Sequence, residues 1–430
     1  MKKLVQKKLK ILAKMILAKY GPTVVGITGS VGKTSAKEAV STVLSSKYSV
    51  RRSRKNYNNE LGVPLTIIGA EAPGRSLIGW CRVFLKVLRL LILKKKDYPE
   101  VLVLEMAVDK PGDMRYLTDI VKCDIGIVTA VGASHLEFFD SVSNIQKEKG
   151  VLIEELNRKG WAILNYDDEY TRALASKSQA KVLTYGFHEK ADIKAQDVLF
   201  NFEADKKAAD LAGLSFKLNY QGSVVPVRLP DVIGYTVIYS ALAAASAGVS
   251  MGMNLVDISK ALENFQSPAG RMKLLEGVKQ TTIIDDSYNS SPQSSKAALD
   301  FIYQIPMSTR ARKFAVLGDM LELGKYTEKG HREVGEYLVS SGINKLIVVG
   351  ERARDIANGA RQAGMNSNNI YEFSQTDEAG KFLQERIKEG DLIFVKGSQG
   401  ARMERIVKEV MADPIRAEEL LVRQGEKWEA

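Results

Sequence analysis

An apolar run at residues 23–28 leads directly into a glycine-rich loop that ends in Gly32, Lys33 and Thr34. The residues that follow, AKEAVSTVLSS, have helical character. A strand, a glycine turn and a helix in this order predict a phosphate-binding loop, because free backbone N–H groups and the positive end of the helix attract anions. In such a loop the lysine neutralises the β and γ phosphates, and the threonine hydroxyl holds Mg²⁺. A glycine turn without a ligand is the alternative, and the lysine-threonine pair before a helix disfavours it.

Apolar strands alternate with helical stretches along most of the chain. The first series, TVVGIT, EVLVLEM, DIGIVTAV and WAILN, predicts a parallel sheet with helices on both faces. Ligand groups in such folds gather at the carboxyl ends of the strands. Between residues 185 and 230, short alternating segments such as LSFKLNY predict a small antiparallel insertion. A second series, TTIIDD, KFAVLGD, KLIVVG and DLIFVKGS, predicts a second, Rossmann-like α/β domain.

We therefore predict an α/β chain of several parts. They are a basic amphipathic helix at 1–21, a nucleotide-binding central domain at 22–267, a C-terminal domain at 268–412 and a tail at 413–430. An apolar, basic helical insertion is expected within the central domain at 72–98.

The net charge of +11 is concentrated in two short segments. Residues 1–19 and residues 75–96 each carry seven Lys or Arg and no acidic residue, so the remainder of the chain carries −3. The body is therefore not basic, which argues against a nucleic-acid partner. Both segments are amphipathic, and the first places its apolar side chains on one helical face. These are Leu4, Leu9, Leu12 and Ile16.

Two arrangements are open for these segments. Either the helices pack on the protein with their lysines in water, or they lie on an anionic membrane surface. Neither contains an uninterrupted apolar run long enough to span a bilayer. Only Cys81 and Cys123 are present, so a disulfide framework and a Cys-rich zinc site are excluded, and a reducing cytoplasm is favoured. We expect a cytoplasmic monomer, with peripheral contact at the inner membrane face as the second arrangement.

Several separated motifs together resemble one known family. The phosphate loop reads G-x-x-G-x-x-G-K-T-S from Gly26, and residues 56–64 read N-x-N-N-x-x-G-x-P. Three further motifs follow at residues 285–292, 316–324 and 396–398. In this order they resemble the Mur ligases and their folylpolyglutamate synthase relatives, over residues 22 to 410. The resemblance is strongest to the branch that adds D-alanyl-D-alanine to a UDP-linked muramyl tripeptide in peptidoglycan synthesis.

The resemblance implies an ATP-dependent, magnesium-dependent ligase. A peptide carboxylate becomes an acyl phosphate, and an amine such as that of D-alanyl-D-alanine displaces the phosphate. The residues that match catalytic positions are Lys33, Glu105, His135 and Lys149. The metal positions are matched by Thr34, Glu105, His135 and, if carbamylated, Lys149.

The nucleotide and substrate positions are matched by two further sets. The ATP contacts implied by the resemblance are Gly29, Ser30, Val31, Gly32, Lys33, Thr34, Ser35, Arg271 and Asp286. The substrate contacts implied are Asn56, Asn58, Asn59 and Asn289. Lys147 competes with Lys149 for the carbamylated position, whereas the other histidines, His188 and His331, lie elsewhere in the pattern.

The sequence departs from that branch in three places. It is expected to lack the domain that grips the UDP portion, and the insertion at 72–98 is not part of the ordinary pattern. Thr236, Val237 and Ser240 replace a histidine and two asparagines that contact adenine in the family. Two alternatives therefore stay open: a related ligase with another acceptor, such as another wall peptide or a lipid-linked precursor, and a non-catalytic nucleotide-binding scaffold on the membrane.

Overall fold

A computed structural model describes residues 2–54, 57–74, 76–93, 97–132, 136–202 and 211–424. These residues form two β-sheets flanked by helices. The strands are β1 Thr23–Thr28, β2 Val50–Arg52, β3 Val101–Glu105, β4 Ile125–Val128, β5 Trp161–Asn165, β6 Lys181–Gly186, β7 Ile193–Phe202, β8 Leu211–Tyr220, β9 Ser223–Pro230, β10 Lys273–Gly277, β11 Thr281–Asp286, β12 Lys313–Gly318, β13 Lys345–Val349, β14 Ile370–Phe373 and β15 Leu392–Lys396.

Helices connect most of these strands. They are α1 Lys2–Tyr20, α2 Lys33–Ser45, α3 Gly62–Ile68, α4 Leu77–Ile92, α5 Asp113–Ile120, α6 Leu136–Phe139, α7 Val142–Glu154, α8 Glu169–Ala173, α9 Tyr235–Ser250, α10 Leu255–Leu262, α11 Pro292–Gln304, α12 Thr327–Val339, α13 Arg354–Gln362, α14 Thr376–Arg386, α15 Glu404–Val410 and α16 Ala417–Leu420. Among the helices described, none is long and apolar enough to cross a bilayer.

The first sheet has nine strands in the order β2-β3-β1-β4-β5-β6-β7-β8-β9. Strands β1 to β6 pair in parallel, as the alternating pattern predicts. Strand β1 lies between β3 and β4, and its register places Ile27 opposite Glu105. The carboxyl end of β3 is therefore beside the loop that follows β1.

The antiparallel strands begin later in the chain than the predicted residue 185. Residues 185 and 186 belong to β6, which pairs in parallel with β5, and the antiparallel pairs form between β7, β8 and β9. These three strands continue the edge of the same sheet, because β7 pairs with β6. Tyr185 is fully buried, so its end of β6 belongs to the core and not to an insertion.

Helices cover both faces of the first sheet. Alternate β1 side chains point to opposite faces, so Val25 packs with α2 and α9 while Val24 packs with α1, α3, α4, α5 and α7. Helix α1 buries Leu9 and Ile16 completely, whereas Leu12 is partly buried. The side chain of Leu4 lies outside the described residues. The basic N-terminal helix thus packs on the body of the protein.

The second sheet has the order β10-β11-β15-β12-β13-β14. It is parallel except for β10, which pairs antiparallel with β11 at one edge. The register of β11 and β15 places Asp286 opposite Lys396 at their carboxyl ends. This sheet falls within the predicted C-terminal part, and the first falls within the predicted central part.

The segment predicted as a tail packs against the second sheet as far as residue 424. Ala417 and Leu421 are buried. Arg423 Nη2 donates to Glu404 Oε2 at 2.7 Å and to the Ser287 carbonyl at 2.6 Å. Residues 413–424 of the predicted tail thus pack on the second sheet, because their few apolar side chains find partners that are distant in sequence. Residues 425–430 lie outside the described residues.

Candidate functional site

The loop after β1 adopts a conformation that requires glycine at two positions. A Cβ on Gly29 would lie 2.0 Å from Thr129 Oγ1, which is inside van der Waals contact. Gly32 has φ of 84°, in the left-handed region that glycine occupies without strain, and it immediately precedes α2. The sequence therefore turns sharply from strand to helix and leaves the helix N-terminus open toward a ligand.

Contacts from the neighbouring strand hold the loop in place. The Ser30 N–H donates to the Ala130 carbonyl at 2.7 Å, and Thr129 Oγ1 donates to the Val31 carbonyl at 2.5 Å. Lys33 Nζ donates to the Gly29 carbonyl at 2.7 Å. Burial lowers the pKa of Lys33, and the nearby Glu105 carboxylate acts in the opposite direction. The loop is thus preorganised around a cation that an anionic ligand would stabilise.

Glu105 lies at the carboxyl end of β3, where polar groups from three segments converge. Its Oε1 accepts hydrogen bonds from Thr34 Oγ1 and Asn58 Nδ2, both at 3.2 Å. Its Oε2 is buried without a hydrogen bond, and Lys37 Nζ lies 3.7 Å away. A buried carboxylate oxygen without a hydrogen bond, beside a hydroxyl, fits a hard cation such as Mg²⁺. The predicted positions Thr34 and Glu105 are therefore brought together.

The structure describes two of the three histidines, His188 and His331. His135 and Asn56 lie outside the described residues, so their predicted roles stay predictions. His331 is buried; its Nε2 accepts from the Met320 N–H at 2.9 Å, and its Nδ1 lies 2.7 Å from the Thr327 carbonyl. His188 Nδ1 accepts from the Lys190 N–H at 3.1 Å. Both described histidines therefore have local structural partners, and no cluster of three His, Cys, Asp or Glu side chains able to hold a metal is found within the described ranges.

Burial separates the two lysines proposed for carbamylation. On α7, Lys149 is only 2% exposed, whereas Lys147 is exposed to solvent. Burial lowers the pKa of Lys149 well below its ordinary value, and the charge of Lys33 lowers it further. Glu148, between the two lysines, accepts from the Gly112 and Met114 N–H groups at the start of α5. A buried lysine near the phosphate loop has the environment that favours a neutral amine.

The second sheet contributes a cation and a buried ion pair. The Arg271 guanidinium stacks on the Tyr288 ring at 4.0 Å from its centroid, and its Nε is buried without a hydrogen-bond partner among the described residues. Lys396 Nζ lies 2.5 Å from Asp286 Oδ2, while Asp286 Oδ1 accepts from the Met272 N–H at 3.2 Å. Both oxygens of Asp286 are thus engaged by the protein. Of the two predicted ATP contacts, Arg271 and Asp286, only Arg271 has an N–H group that can donate to a phosphate.

These groups surround a cavity of about 570 Å³ between the two sheets. The predicted residues that line it are Ser30, Val31, Gly32, Lys33, Thr34, Ser35, Asn58, Glu105, Arg271, Asp286 and Asn289. Gly29, Asn59 and Lys149 do not line it.

The side chain of Asn59 accepts hydrogen bonds from the Leu61 and Gly62 N–H groups at 3.2 and 3.0 Å, where α3 begins. The substrate contact implied for Asn59 stays a prediction, and its side-chain oxygen has a structural role at the start of α3.

Several residues around the site were not predicted from the sequence. Lys37, one turn after Lys33 on α2, forms an ion pair with Glu38 at 3.0 Å beside Glu105. Asp109 and Tyr288 line the cavity, as does Lys396. The only sequence signal for Lys396 was its place in the Lys-Gly-Ser motif at 396–398, which closes an otherwise apolar strand.

A smaller cavity of about 200 Å³ adjoins the phosphate loop at Val31 and Gly32. Thr236 and Ser240, which replace polar residues of the family pattern, line it, whereas Val237 lines the larger cavity. The Ser240 hydroxyl donates to the Thr236 carbonyl at 2.7 Å within α9. The Tyr185 hydroxyl at this cavity is buried without a partner among the described residues, and burial raises its pKa. It therefore stays protonated and is available as a hydrogen-bond donor.

Comparison with known proteins gives two family matches. The model of the Mur ligase middle domain matches residues 85–248, and that of the Mur ligase, glutamate ligase domain matches residues 270–399. Among curated relatives, the UDP-N-acetylmuramoyl-tripeptide--D-alanyl-D-alanine ligase of Bacillus subtilis is 29% identical over 94% of this chain and 79% of its own length. The ligase of the same name from Mycobacterium bovis is 30% identical over 91% of this chain and 74% of its own length.

A solved structure agrees with both findings. The MurF ligase of Thermotoga maritima, determined in complex with ADP, is 26% identical and superposes with a TM-score of 0.76. The match covers 94% of this chain and 83% of that one.

Proposed function

This chain belongs to the Mur ligase family, and on that premise we propose that it joins a peptidoglycan-precursor peptide to D-alanyl-D-alanine. It is an ATP-dependent ligase of the MurF type that forms a carbon–nitrogen bond. In the proposed reaction, the terminal carboxylate of a UDP-linked muramyl tripeptide is activated and then converted to an amide. The products are the extended peptide, ADP and phosphate.

The observation that carries this proposal is the convergence of Lys33, Glu105 and Arg271 on one cavity. Lys33 belongs to the first sheet's phosphate loop, while Arg271 approaches from the second sheet. A triphosphate bound between them would have cations on both sides. This arrangement suits phosphoryl transfer, in which catalysis consists mostly of positioning and of stabilising charge on the transferred group.

Two bond exchanges make up the chemistry. A carboxylate oxygen of the peptide bonds to the γ-phosphorus, and the bond from that phosphorus to the β,γ-bridging oxygen breaks to release ADP. The amine nitrogen then bonds to the carbonyl carbon, the carbon–oxygen bond to phosphate breaks, and the proton lost by the nitrogen is taken up by the departing phosphate. Lys33 stabilises negative charge on the phosphates, and Arg271, held by its stacking on Tyr288, offers its buried Nε–H from the other side.

We assign the metal to the polar groups at the end of β3. Mg²⁺ held by the Thr34 hydroxyl and Glu105 would neutralise phosphate charge and orient the γ-phosphoryl group. Asn58 positions Glu105 by donating to its Oε1 at 3.2 Å. Lys149 is proposed to become an anion by carbamylation, and His135 is retained as a further proposed metal position.

The base of ATP is proposed to occupy the cavity of about 200 Å³ beside the phosphate loop. Its walls combine apolar surface with the free Tyr185 hydroxyl, which suits a flat aromatic base with ring-nitrogen acceptors. Both oxygens of Asp167 already accept hydrogen bonds there, Oδ2 from Tyr239 Oη at 2.9 Å and Oδ1 from the His188 N–H at 3.0 Å. The Thr236 and Ser240 replacements thus change the polar contacts without closing the cavity.

Filling this cavity is expected to weaken ATP binding. Ala297 on α11 is exposed and lies where this cavity meets the larger one, so an Ala297→Trp side chain can enter the space proposed for the base. Loss of a ten-atom base at about 0.3 kcal/mol per atom would raise the KM for ATP roughly a hundredfold. The matched Ala297→Ser variant should keep the KM of the native chain. A similar KM in both variants would contradict the assignment of the base to this cavity.

The substrate assignment is tested by phosphate release from purified protein with ATP and Mg²⁺. We expect release that requires both UDP-muramyl tripeptide and D-alanyl-D-alanine, with the extended peptide detected by mass spectrometry. Panels of other wall peptides and other amines provide the comparison. Release with a different pair alone would identify a related ligase with another acceptor. ATP binding without release for any pair would support a scaffold and contradict the proposal.

A further inference from the structure

Helix α4 presents three distinct faces. One face buries Val83, Val87 and Leu90 in the core that α4 shares with α1 and α3 on one side of the first sheet. With 3.6 residues per turn, the opposite side carries an apolar sector of about 100°. We call this sector the outer stripe; it comprises Leu77, Ile78, Cys81, Leu85, Leu88 and Ile92. The five aliphatic members are between 49% and 76% exposed.

A basic face lies along one edge of the outer stripe. It carries Arg82, Lys86 and Arg89, and no acidic residue occurs between residues 75 and 96. Lys86 Nζ is occupied by the Gly69 carbonyl. Arg82 and Arg89 are exposed and form no ion pair with a residue that the structure describes. The helix therefore sets an exposed apolar stripe beside cations that remain available for an external anion.

Helix α1 adds more exposed apolar and cationic surface next to α4. Lys19 Nζ donates to the Leu90 and Leu91 carbonyls at 2.9 and 2.8 Å, which fixes the end of α1 to the end of α4. On the outside of α1, Ile11 and Met15 are about half exposed, at 51% and 49%. Lys7 and Lys8 are exposed on the same side. The two basic segments thus share one region of the protein.

The outer stripe is separate from the apolar face through which α4 packs on the rest of the protein. Contiguous exposed apolar surface of this kind marks an interaction site. We propose that α4, with α1 beside it, docks this chain on the surface of an anionic lipid bilayer. The outer stripe enters the boundary between headgroups and acyl chains, and the basic face contacts lipid phosphates. The helix lies in the plane of the membrane surface.

Charge favours a membrane over a second copy of the chain. An antiparallel twofold pairing of α4 through its outer stripe would bring each basic face against the basic face of the other copy. Like charges at that edge would oppose the pairing. A bilayer containing anionic lipids satisfies both the apolar stripe and its basic edge at once.

Vesicle flotation of the full chain tests this proposal. We expect flotation with vesicles of phosphatidylcholine containing about 30 mol % phosphatidylglycerol, weak flotation with phosphatidylcholine alone, and release at high salt. Leu85→Gln/Leu88→Gln and Arg82→Gln/Arg89→Gln should each lower the partition coefficient about tenfold or more. Two matched variants on other surfaces, Val256→Gln/Ile415→Gln and Lys190→Gln/Arg310→Gln, should bind as the native chain does.

Cys81 provides a second, direct readout of insertion. It lies within the outer stripe and is exposed, whereas Cys123 is buried and burial raises its pKa, so a thiol reagent labels Cys81 selectively. A polarity-sensitive fluorophore on Cys81 should shift to the blue on adding anionic vesicles. The same label in Cys81→Ser/Ile415→Cys should not shift.

Three outcomes overturn the proposal. They are an absence of flotation with anionic vesicles, flotation that is equal in the α4 variants and their matched controls, and a dimer in light scattering that Leu85→Gln/Leu88→Gln dissociates. The last result would assign the outer stripe to a second copy. Thermal unfolding of every variant, compared with the native chain, separates these outcomes from a failure to fold.

Discussion

Lys33→Met is expected to reduce the kcat/KM for ATP-dependent phosphate release roughly a thousandfold or more. Methionine keeps the length and apolar stem of the side chain but removes its charge. That charge is held at the phosphate loop by the Gly29 carbonyl, 2.7 Å from Nζ. Because burial already lowers the pKa of Lys33, its ammonium gains most from an anion bound beside it. Steady-state release and calorimetric titration with ATP and Mg²⁺ measure the two losses separately.

Lys47→Met is the matched control for this variant. Lys47 follows the end of α2, is exposed and is not among the residues that line the cavity. We expect its kinetics to equal those of the native chain. If Lys33→Met kept a tenth or more of the native kcat/KM, the phosphate loop would not be the site of phosphoryl transfer. The proposed function would then lose its main support.

The parts of the site that depend on local sequence could be predicted, and the parts that depend on distant pairing could not. The phosphate loop is continuous in sequence, so its glycines, lysine and threonine are sufficient to identify it. Glu105 was implied by the resemblance to the family, and it closes the apolar strand β3. Its contact with Thr34 depends on the register of β1 and β3, which no local pattern specifies.

The Asp286–Lys396 ion pair is a contact that the sequence pattern could not predict. The two residues are 110 positions apart, and each closes an apolar strand. Nothing in either strand identifies its neighbour in the sheet, so the pairing of Asp286 with Lys396 could not be predicted from the sequence. The antiparallel strands β7 to β9 were likewise predicted without the knowledge that they extend the first sheet.

The choice between Lys147 and Lys149 could have been made from the sequence. Ile145, Lys149, Leu152 and Ile153 recur at helical spacing, so Lys149 falls on the buried face of α7 and Lys147 does not. The match to the family position does not depend on this periodicity and therefore left both lysines open. Helix phase is therefore a signal that distinguishes a buried lysine from its solvated neighbours.

Lys149→Ala is expected to reduce kcat roughly a thousandfold, and a short carboxylate such as acetate should restore part of the loss. In the proposed modification, the neutral amine nitrogen bonds to the carbon of CO₂ and loses a proton, which leaves a carbamate anion. Truncation leaves space in which a free carboxylate can supply the same charge. Activity of the native chain should also fall when dissolved CO₂ is removed and return when bicarbonate is added.

The pH dependence of the modification follows from the burial of Lys149. Only the neutral amine reacts, and its fraction rises as the pH rises through the pKa of Lys149. Because burial lowers that pKa well below its ordinary value, modification should be complete at a lower pH than for an exposed lysine. The carbon-13 NMR signal of the carbamate, recorded with labelled bicarbonate over a pH series, measures this directly.

Lys147→Ala, on the exposed side of α7, is the matched control and should retain both the carbamate signal and native kcat. Retention of the signal in Lys149→Ala would place the modification on another lysine. Native activity in the absence of CO₂, combined with inactive Lys149→Ala, would instead show that the unmodified amine serves the site. In that case Lys149 would serve the site as a neutral buried amine near Lys33, and acetate should not restore activity.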